Sequence, residues 1–186
     1  MLSVIIPTHQ SERALVETLG PLVAGATAGL VREVILADGG SRDDTAAVAD
    51  VAGCRLLPSE GPLADRLRAA VVEARAPWLL FIRPGTVLEN AWPADAGHFI
   101  HRTANRDQAA VFRRGQMRSP WREAFALLAA SLGVRAHPKQ GLLIAKRFYD
   151  CLGGHPKCAD PEIGLLLRIG RSRTITLNSR ALAEYT

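Results

Sequence analysis

The segment best suited to chemistry follows an apolar run that begins at Val34. The run ends at Asp38, and two glycines and a serine come next, in the sequence VILADGGSRDDT. Continuous apolar runs predict strands buried on both faces of a parallel sheet, whose ligands bind beyond the carboxyl ends of the strands. Gly39 and Gly40 permit a close approach of backbone to ligand. The segment therefore predicts a nucleotide-binding strand end, although an ordinary Asp-Gly turn explains it equally well when it stands alone.

A second strand end of the same kind lies at the N-terminus. Residues 2–6 are apolar, and Pro7, Thr8 and His9 stop the run. Ser11 is placed to cap a helix whose apolar face contains Leu15, Leu19, Leu22 and Val23, at the spacing of a helix packed on a sheet. The two strand ends together favour a nucleotide site over a simple turn.

These segments carry a family resemblance. LSVIIPTHQSERALVETL followed by EVILADGGSRDDTA resembles the opening of a family 2 glycosyltransferase, whose nucleotide-sugar fold is called GT-A. APWLLFIRPGTVLENAW is similar to the strand that carries the family's DxD metal motif. GLLIAKRFYDCLGGHPKCADPEIGLLLRIGRSRTITLNSRAL resembles the acceptor and base region. The resemblance implies a protein that binds a nucleoside diphosphate sugar.

The resemblance also implies which residues bind the nucleotide. Asp38 would accept a hydrogen bond from the base, which favours a UDP-sugar because a carboxylate can take the imide N–H of uracil. Arg66 would lie near the phosphates, although a solvent-facing helix position explains it equally well. The implied set is Pro7, Thr8, His9, Asp38, Gly39, Arg66 and Arg83.

The chain departs from the family at the metal motif. Arg83-Pro84-Gly85 stands where the family has an aspartate, any residue and a second aspartate. Mg²⁺ and Mn²⁺ need hard oxygen ligands, so we expect no divalent metal in the usual site and assign no metal ligand. Two interpretations stay open. Either Arg83 replaces the cation through forked hydrogen bonds to the diphosphate, or the protein is a noncatalytic module that binds a nucleotide or a partner.

Two carboxylates compete for the role of catalytic base in the segment ADPEIGLLLRIG. Aligned on the family without a gap, Glu162 takes the place of the base; with one residue slipped, Asp160 does. A third interpretation needs no catalysis, because Asp160 can cap a helix that Pro161 starts while Glu162 interacts with its dipole. Gly153 and Gly154 match the family's glycine pair near the acceptor pocket.

Strands and helices alternate along the first half and predict an α/β fold. We expect a Rossmann-like, mostly parallel sheet flanked by helices. Strands are predicted at 2–6, 34–38, 55–57, 78–82, 109–113, 141–145 and 174–177. Helices are predicted at about 43–52, opened by a Ser41–Asp44 capping box, at 62–74, 121–132 and 162–169. A variable segment that contains Pro93 and the polar run 101–107 follows Pro84-Gly85.

The length of 186 residues suits a single domain, which we divide into a nucleotide-binding half at about 1–90 and an acceptor half at about 91–186. No apolar run reaches the roughly 20 residues that cross a bilayer, and no leader precedes the first strand, so we expect a cytoplasmic protein. The three cysteines fit reduced thiols. Cys151, His155 and Cys158 lack the usual zinc spacing.

A net charge of +5 and a pI near 9.6 favour anionic partners. Six arginines stand close together in the second half: Arg102, Arg106, Arg113, Arg114, Arg118 and Arg122. This stretch predicts either a solvated basic face or contact with an anionic acceptor or a membrane surface. No nucleic-acid motif accompanies the charge, so we expect no nucleic-acid partner.

Overall fold

The computed structural model describes residues 1–102, 107–115 and 137–183. The strands are β1 (Leu2–Thr8), β2 (Val31–Asp38), β3 (Arg55–Pro58), β4 (Trp78–Phe81), β5 (Thr86–Leu88), β6 (Ala109–Gly115), β7 (Leu142–Ala145) and β8 (Thr174–Ala183). The helices are α1 (Glu12–Thr27), α2 (Thr45–Val51), α3 (Leu63–Glu73), α4 (Trp92–His101), α5 (Lys146–Cys151) and α6 (Pro161–Ile169), and short 3₁₀ turns lie at Pro138–Gln140 and Arg171–Arg173. The helix predicted at 121–132 lies outside the described residues.

The strands form one sheet in the order β3-β2-β1-β4-β7-β6-β8-β5. β1 pairs in parallel with β2 and β4, and β2 pairs in parallel with β3. Thr8 at the end of β1 is in register with Asp38 at the end of β2. The predicted α/β fold with parallel strands is therefore confirmed in this part of the sheet, and it brings both predicted strand ends to one edge.

The other part of the sheet is mixed. β7 is antiparallel to both β4 and β6, and β5 is antiparallel to β8, while β6 and β8 are parallel. Phe81 at the end of β4 lies opposite Leu142 at the start of β7. The loop that leaves β4 therefore lies beside the loop that enters β7, and the two halves of the chain meet there.

Helices cover both faces of the sheet, because residues of the central strands alternate between two apolar cores. Ile5 packs with residues of α3, α5 and α6 on one face. Val4 and Ile6 pack with residues of α1, α2 and α4 on the other. None of the helices in the described ranges is long and apolar enough to span a membrane.

Two elements lie in the segment predicted to be variable, β5 and α4. β5 pairs with β8, which is more than eighty residues away in the chain. In α4, Trp92 is fully buried, and its indole Nε1 donates to the carbonyl of Pro21 at 3.0 Å. Both elements depend on distant partners, which a local pattern does not contain.

The predicted helix caps are partly wrong. Helix α2 begins at Thr45 after Asp44, and the hydroxyl of Ser41 donates to Asp38 Oδ1 at 2.5 Å instead of capping the helix. Ser11 does precede α1, but its hydroxyl donates to the carbonyl of His9. On α1 itself, Val23 is 64% exposed, so the apolar face is narrower than predicted.

Candidate functional site

Asp38 organises the loop at the carboxyl end of β2. Its Oδ1 accepts hydrogen bonds from the hydroxyls of Thr8 at 2.8 Å and Ser41 at 2.5 Å. Its Oδ2 accepts the backbone N–H groups of Gly40 at 2.9 Å and Ser41 at 2.8 Å. Burial acts to raise the pKa of Asp38, but these hydrogen bonds outweigh it and hold the pKa below its ordinary value. The carboxylate is ionised and held in place.

This arrangement gives Asp38 a structural role that the sequence did not predict. The residue is 3% exposed, and a carboxylate accepts about four hydrogen bonds, all of which the protein supplies here. Contact between Asp38 and a base stays a prediction, and it requires one of these donors to be displaced.

The loops after β1 and β2 are bonded into one unit. Gln10, whose φ is 50°, accepts the backbone N–H groups of Arg42 at 2.6 Å and Asp43 at 3.2 Å through Oε1. Asp43 Oδ2 in turn accepts the backbone N–H of Glu12 at 3.0 Å. Sequence reasoning missed Gln10 and Asp43, since nothing local indicates bonds across more than thirty residues.

Arg66 reaches from α3 to the same edge of the sheet. Its Nη1 donates to the carbonyls of Thr8 at 3.0 Å and Ala37 at 2.9 Å, at the ends of β1 and β2. Its Nε is buried and has no hydrogen-bond partner among the described residues. A Cβ on Gly39 would lie 2.7 Å from Arg66 Nη1, so a side chain there would force the Arg66 guanidinium to shift. Arg66 is thus directed at the predicted site and not at solvent.

His9 also contacts this edge of the sheet. Its ring Nδ1 lies 3.1 Å from the carbonyl oxygen of Gly39. Pro7 and Thr8 occupy the last two positions of β1, in register with Ala37 and Asp38. The structure therefore gathers Pro7, Thr8, His9, Asp38, Gly39 and Arg66 at one edge of the sheet, and their role in nucleotide binding stays a prediction.

Arg83, just beyond β4, forms an ion pair with the candidate bases of α6. Its Nε donates to Glu162 Oε2 at 2.6 Å, and its Nη2 contacts the same oxygen. Asp160 Oδ2 lies 3.8 Å from Arg83 Nη2. The two parts of the chain that depart from the family pattern are therefore in direct contact.

The pKa values of Arg83 and Glu162 are both raised, for different reasons. Burial acts to lower the pKa of Arg83, but the hydrogen bond and charge of Glu162 outweigh it and raise the pKa. Burial raises the pKa of Glu162, and the opposing effect of Arg83 cancels only part of that shift. Arg83 is therefore the cation that opposes the effect of burial on the pKa of Glu162.

Asp160 has a different environment. Its Oδ1 accepts the backbone N–H of Ile163 at 3.0 Å, so it caps α6, and Pro161 occupies the first turn. The capping interpretation is thus confirmed for Asp160. Glu162 is 8% exposed and turns inward toward Arg83. Of the two carboxylates, Glu162 is the one whose burial and charged partner are typical of a functional residue.

A small pocket lies beside Glu162. Its walls are mainly apolar and comprise Phe81, His137, Pro138, Gly141, Leu142, His155, Glu162 and Leu166. His155 is 1% exposed, and its Nδ1 lies 2.8 Å from the hydroxyl of Tyr149. Burial, aided by the charge of Arg68, lowers the pKa of His155 to about 3. Sequence reasoning did not assign His155 to this pocket; its only signal is its position after the glycine pair.

The glycine pair forms the turn that carries His155. Gly153 and Gly154 have φ values of 75° and 67°. Arg68 fixes the turn, since its Nη2 donates to the carbonyl of Gly153 at 2.9 Å and its Nε to that of His155 at 2.7 Å. The glycine pair therefore contributes to the pocket through the turn that positions His155.

The described residues offer no fitting site for the family's metal. Among them, no group of three His, Cys, Asp or Glu side chains could hold a metal ion. Arg83 and Gly85 supply no carboxylate at the DxD position, and the nearest carboxylates already face the Arg83 guanidinium. A divalent cation does not fit this donor set.

The predicted basic stretch is only partly described. Arg102 follows α4 and is exposed, and Arg113 and Arg114 are exposed on β6. Arg106, Arg118 and Arg122 lie outside the described residues.

The sheet flanked by helices has the GT-A fold, which it shares with solved structures. S. aureus TarS residues 1–349 aligns with a TM-score of 0.72 at 16% identity over 98% of this chain and 60% of its own. Glucosyl-3-phosphoglycerate synthase from Mycobacterium tuberculosis aligns with a TM-score of 0.66 at 20% identity, over 100% of this chain and 72% of its own. Mannosyltransferase PcManGT from Pyrobaculum calidifontis aligns with a TM-score of 0.73 at 14% identity, over 97% of this chain and 56% of its own. The chain thus spans 60% of the TarS fragment.

A family model matches part of the sequence. Residues 3–82, less than half of the chain, match the model described as Glycosyl transferase family 2. No curated protein sequence matches the chain. The family match ends at Ile82, directly before Arg83. The matched part therefore contains the strand-end site, and the departure at the metal motif begins where the match stops.

Proposed function

We propose that the protein binds a nucleoside diphosphate sugar at the carboxyl ends of β1, β2 and β4. The observation that carries this proposal is the cluster of Thr8, His9, Asp38 and Arg66 at one sheet edge, within the part that matches the family. A UDP-sugar is the favoured donor, since TarS has been solved with UDP-GlcNAc and the mycobacterial synthase with UDP-glucose. PcManGT has been solved with GDP-Man, so a guanine nucleotide belongs in the same test.

The Arg83 guanidinium would stabilise the leaving diphosphate. Sugar transfer leaves negative charge on the diphosphate oxygens, and electrostatic stabilisation of such charge is worth several kcal/mol of barrier. Arg83 lies just beyond β4, next to the strand-end loops, and is about one-third exposed. Forked N–H donors match phosphate oxygens and can supply this stabilisation without a metal.

Glu162 would act as the base. The acceptor oxygen forms a bond to the anomeric carbon, the bond from that carbon to the diphosphate oxygen breaks, and the acceptor proton goes to Glu162. Burial raises the pKa of Glu162 toward the range in which a carboxylate accepts a proton efficiently. The acceptor would enter the pocket in front of this carboxylate.

We further propose an anionic acceptor. Gln140 Nε2 donates to the carbonyl of Phe112 at 2.9 Å and so attaches the pocket wall at 137–140 to β6. The next two residues of β6, Arg113 and Arg114, are exposed. An acidic group on the acceptor, or an anionic membrane surface that carries it, would meet these charges.

A second candidate function is a noncatalytic nucleotide-binding or partner-binding module. The observation in its favour is the ion pair itself, because Arg83 and Glu162 neutralise each other. Release of a nucleoside diphosphate from the sugar nucleotide in the presence of acceptors would separate the enzyme from the module.

Thermal denaturation with nucleoside diphosphates and their sugars tests the proposal. A ligand at 100 times its dissociation constant stabilises a protein by about 2.7 kcal/mol, so UDP or a UDP-sugar is expected to raise Tm clearly. Uridine and pyrophosphate, tested separately, should each produce a smaller shift. Failure of every uridine and guanosine diphosphate and of their sugars to raise Tm would overturn the proposed function.

A further inference from the structure

We propose that nucleoside diphosphate binding draws Arg83 away from Glu162, so that the base becomes available only when the donor is in place. This inference rests on the proposed function and deepens it. In a relative with a metal site, cation and base are separate groups. Here the group that would take the diphosphate is already bonded to the group that would take the acceptor proton.

The contacts identify Arg83 as the partner that moves. Glu162 is 8% exposed and lies in the first turn of α6, a helix whose Leu165 and Leu166 belong to the core. The Arg83 side chain is 32% exposed, and it extends from the short loop between β4 and β5. A diphosphate arriving from the strand-end loops therefore meets Arg83 first and competes with Glu162 for the Nε–Nη2 edge.

Loss of Arg83 would leave Glu162 in surroundings that favour proton uptake. The charged or titratable groups facing it are Arg83 from the β4–β5 loop, Asp160 from its own helix, and His137 and His155 across the pocket. His155 stays neutral above about pH 3. Burial and the Asp160 charge both raise the pKa of Glu162, and Arg83 is the group that opposes them. Removing Arg83 converts a paired carboxylate into a stronger base.

Competition for one guanidinium fixes the sign of a binding effect. If Glu162 competes with the diphosphate, then Glu162→Gln should make nucleotide binding tighter, since glutamine has the same shape and no charge. If Glu162 instead helped to hold a cation beneath the diphosphate, the same substitution would weaken binding. The two arrangements predict opposite changes.

The experiment is calorimetric titration of UDP into the full chain in the presence of EDTA. Glu162→Gln is expected to tighten binding at least fivefold, within the range typical of coupled sites. Asp160→Asn should give a smaller gain, because its carboxylate is 3.8 Å from Arg83 Nη2. Glu73→Gln is the matched control: it removes the same charge from the exposed Arg55–Glu73 pair and should leave affinity unchanged.

Arg83→Ala provides the second arm. In the Arg83→Ala background, Glu162→Gln should have no effect on UDP affinity, because the guanidinium for which Glu162 and the diphosphate compete is absent. If Glu162→Gln fails to fold, the carboxyl ¹³C resonance of Glu162 in the unmodified protein gives the answer, since its pKa should rise on saturation with UDP.

Wild-type binding with unchanged or weaker affinity in Glu162→Gln would overturn this inference and leave the proposed function standing. A Glu162 pKa that does not respond to bound UDP would overturn it as well. Absence of binding by UDP and by every other nucleoside diphosphate would overturn the proposed function itself.

Discussion

His155 is a histidine that burial, aided by the charge of Arg68, holds neutral. Its backbone N–H donates to the hydroxyl of Tyr149 at 3.2 Å, and its Nδ1 lies 2.8 Å from the same hydroxyl. Its ring also meets the ring of Phe81 edge-on, with centroids 4.9 Å apart. A hydroxyl that accepts the backbone N–H can donate to an unprotonated Nδ1, which favours the tautomer with the proton on Nε2.

The low pKa of His155 predicts how stability depends on pH. The folded pKa is about 3, whereas an unfolded histidine titrates near 6.5. Between these values the unfolded chain binds more protons, so the free energy of unfolding falls as pH drops from about 6.5 toward 3. Each pH unit in this window removes up to about 1.4 kcal/mol. Urea unfolding between pH 4 and 7 should give a shallower decline for His155→Gln.

The exposed His98 offers the matched control, and His98→Gln should follow the wild-type pH dependence. Curves of equal slope for His155→Gln and the wild type would contradict the assignment of His155 as a buried neutral group.

At this scale, residue types were predictable from sequence, but their partners were not. The polar residues after two apolar strands had to meet, since parallel neighbours share an edge, and Thr8 does lie beside Asp38. The pairing of Arg83 with Glu162 joins residues seventy-nine positions apart. No local pattern contains that information.

At the scale of elements, α1 and α4 pack through a glycine. A Cβ added to Gly25 would overlap Cζ2 of the fully buried Trp92 and also approach Val31. Trp92 is further held by its hydrogen bond to Pro21. The close approach of the two helices therefore depends on the missing side chain at position 25.

Gly25→Ala should destabilise the protein by about 1–3 kcal/mol, the usual cost of overpacking a core. Gly97→Ala on the partner helix is the control, since nothing lies within 4 Å of its added Cβ. Removing a helical glycine there should stabilise by about 0.5–1 kcal/mol. Equal effects of both changes on the urea midpoint would contradict this packing.

The parallel strands of the first half were predictable because their patterns are continuous and apolar. β5 and α4 were missed because a three-residue strand and a helix containing Pro93 carry weak local signals. β5 forms because it pairs with β8, and α4 forms because its Trp92 packs against α1 and donates a hydrogen bond to it. The Ser41 cap failed because Asp38 offered its hydroxyl a stronger, charged acceptor.

At the scale of the whole molecule, the sheet unites the two halves of the chain. β4 from the first half pairs with β7 from the second, and the loops beside this pairing bring Arg83 to Glu162. We propose that the chain works as a single domain, with donor and acceptor sites on either side of this contact. The positive charge of the chain would draw anionic ligands toward it.

If Arg83 takes the place of a metal, as proposed, titration of UDP into Arg83 variants will show it. Wild-type affinity is expected to be the same in EDTA and in Mg²⁺ or Mn²⁺, and to fall with added salt. Arg83→Ala should weaken binding on the order of 10- to 100-fold, in line with about 1.5–3 kcal/mol for a hydrogen bond to a charged group. Arg83→Lys should weaken it less, because the charge remains but the fork is lost. Arg55→Ala, at the exposed pair with Glu73, should change nothing. Binding that requires Mg²⁺ or Mn²⁺ and is insensitive to Arg83→Ala would contradict the proposed role of Arg83.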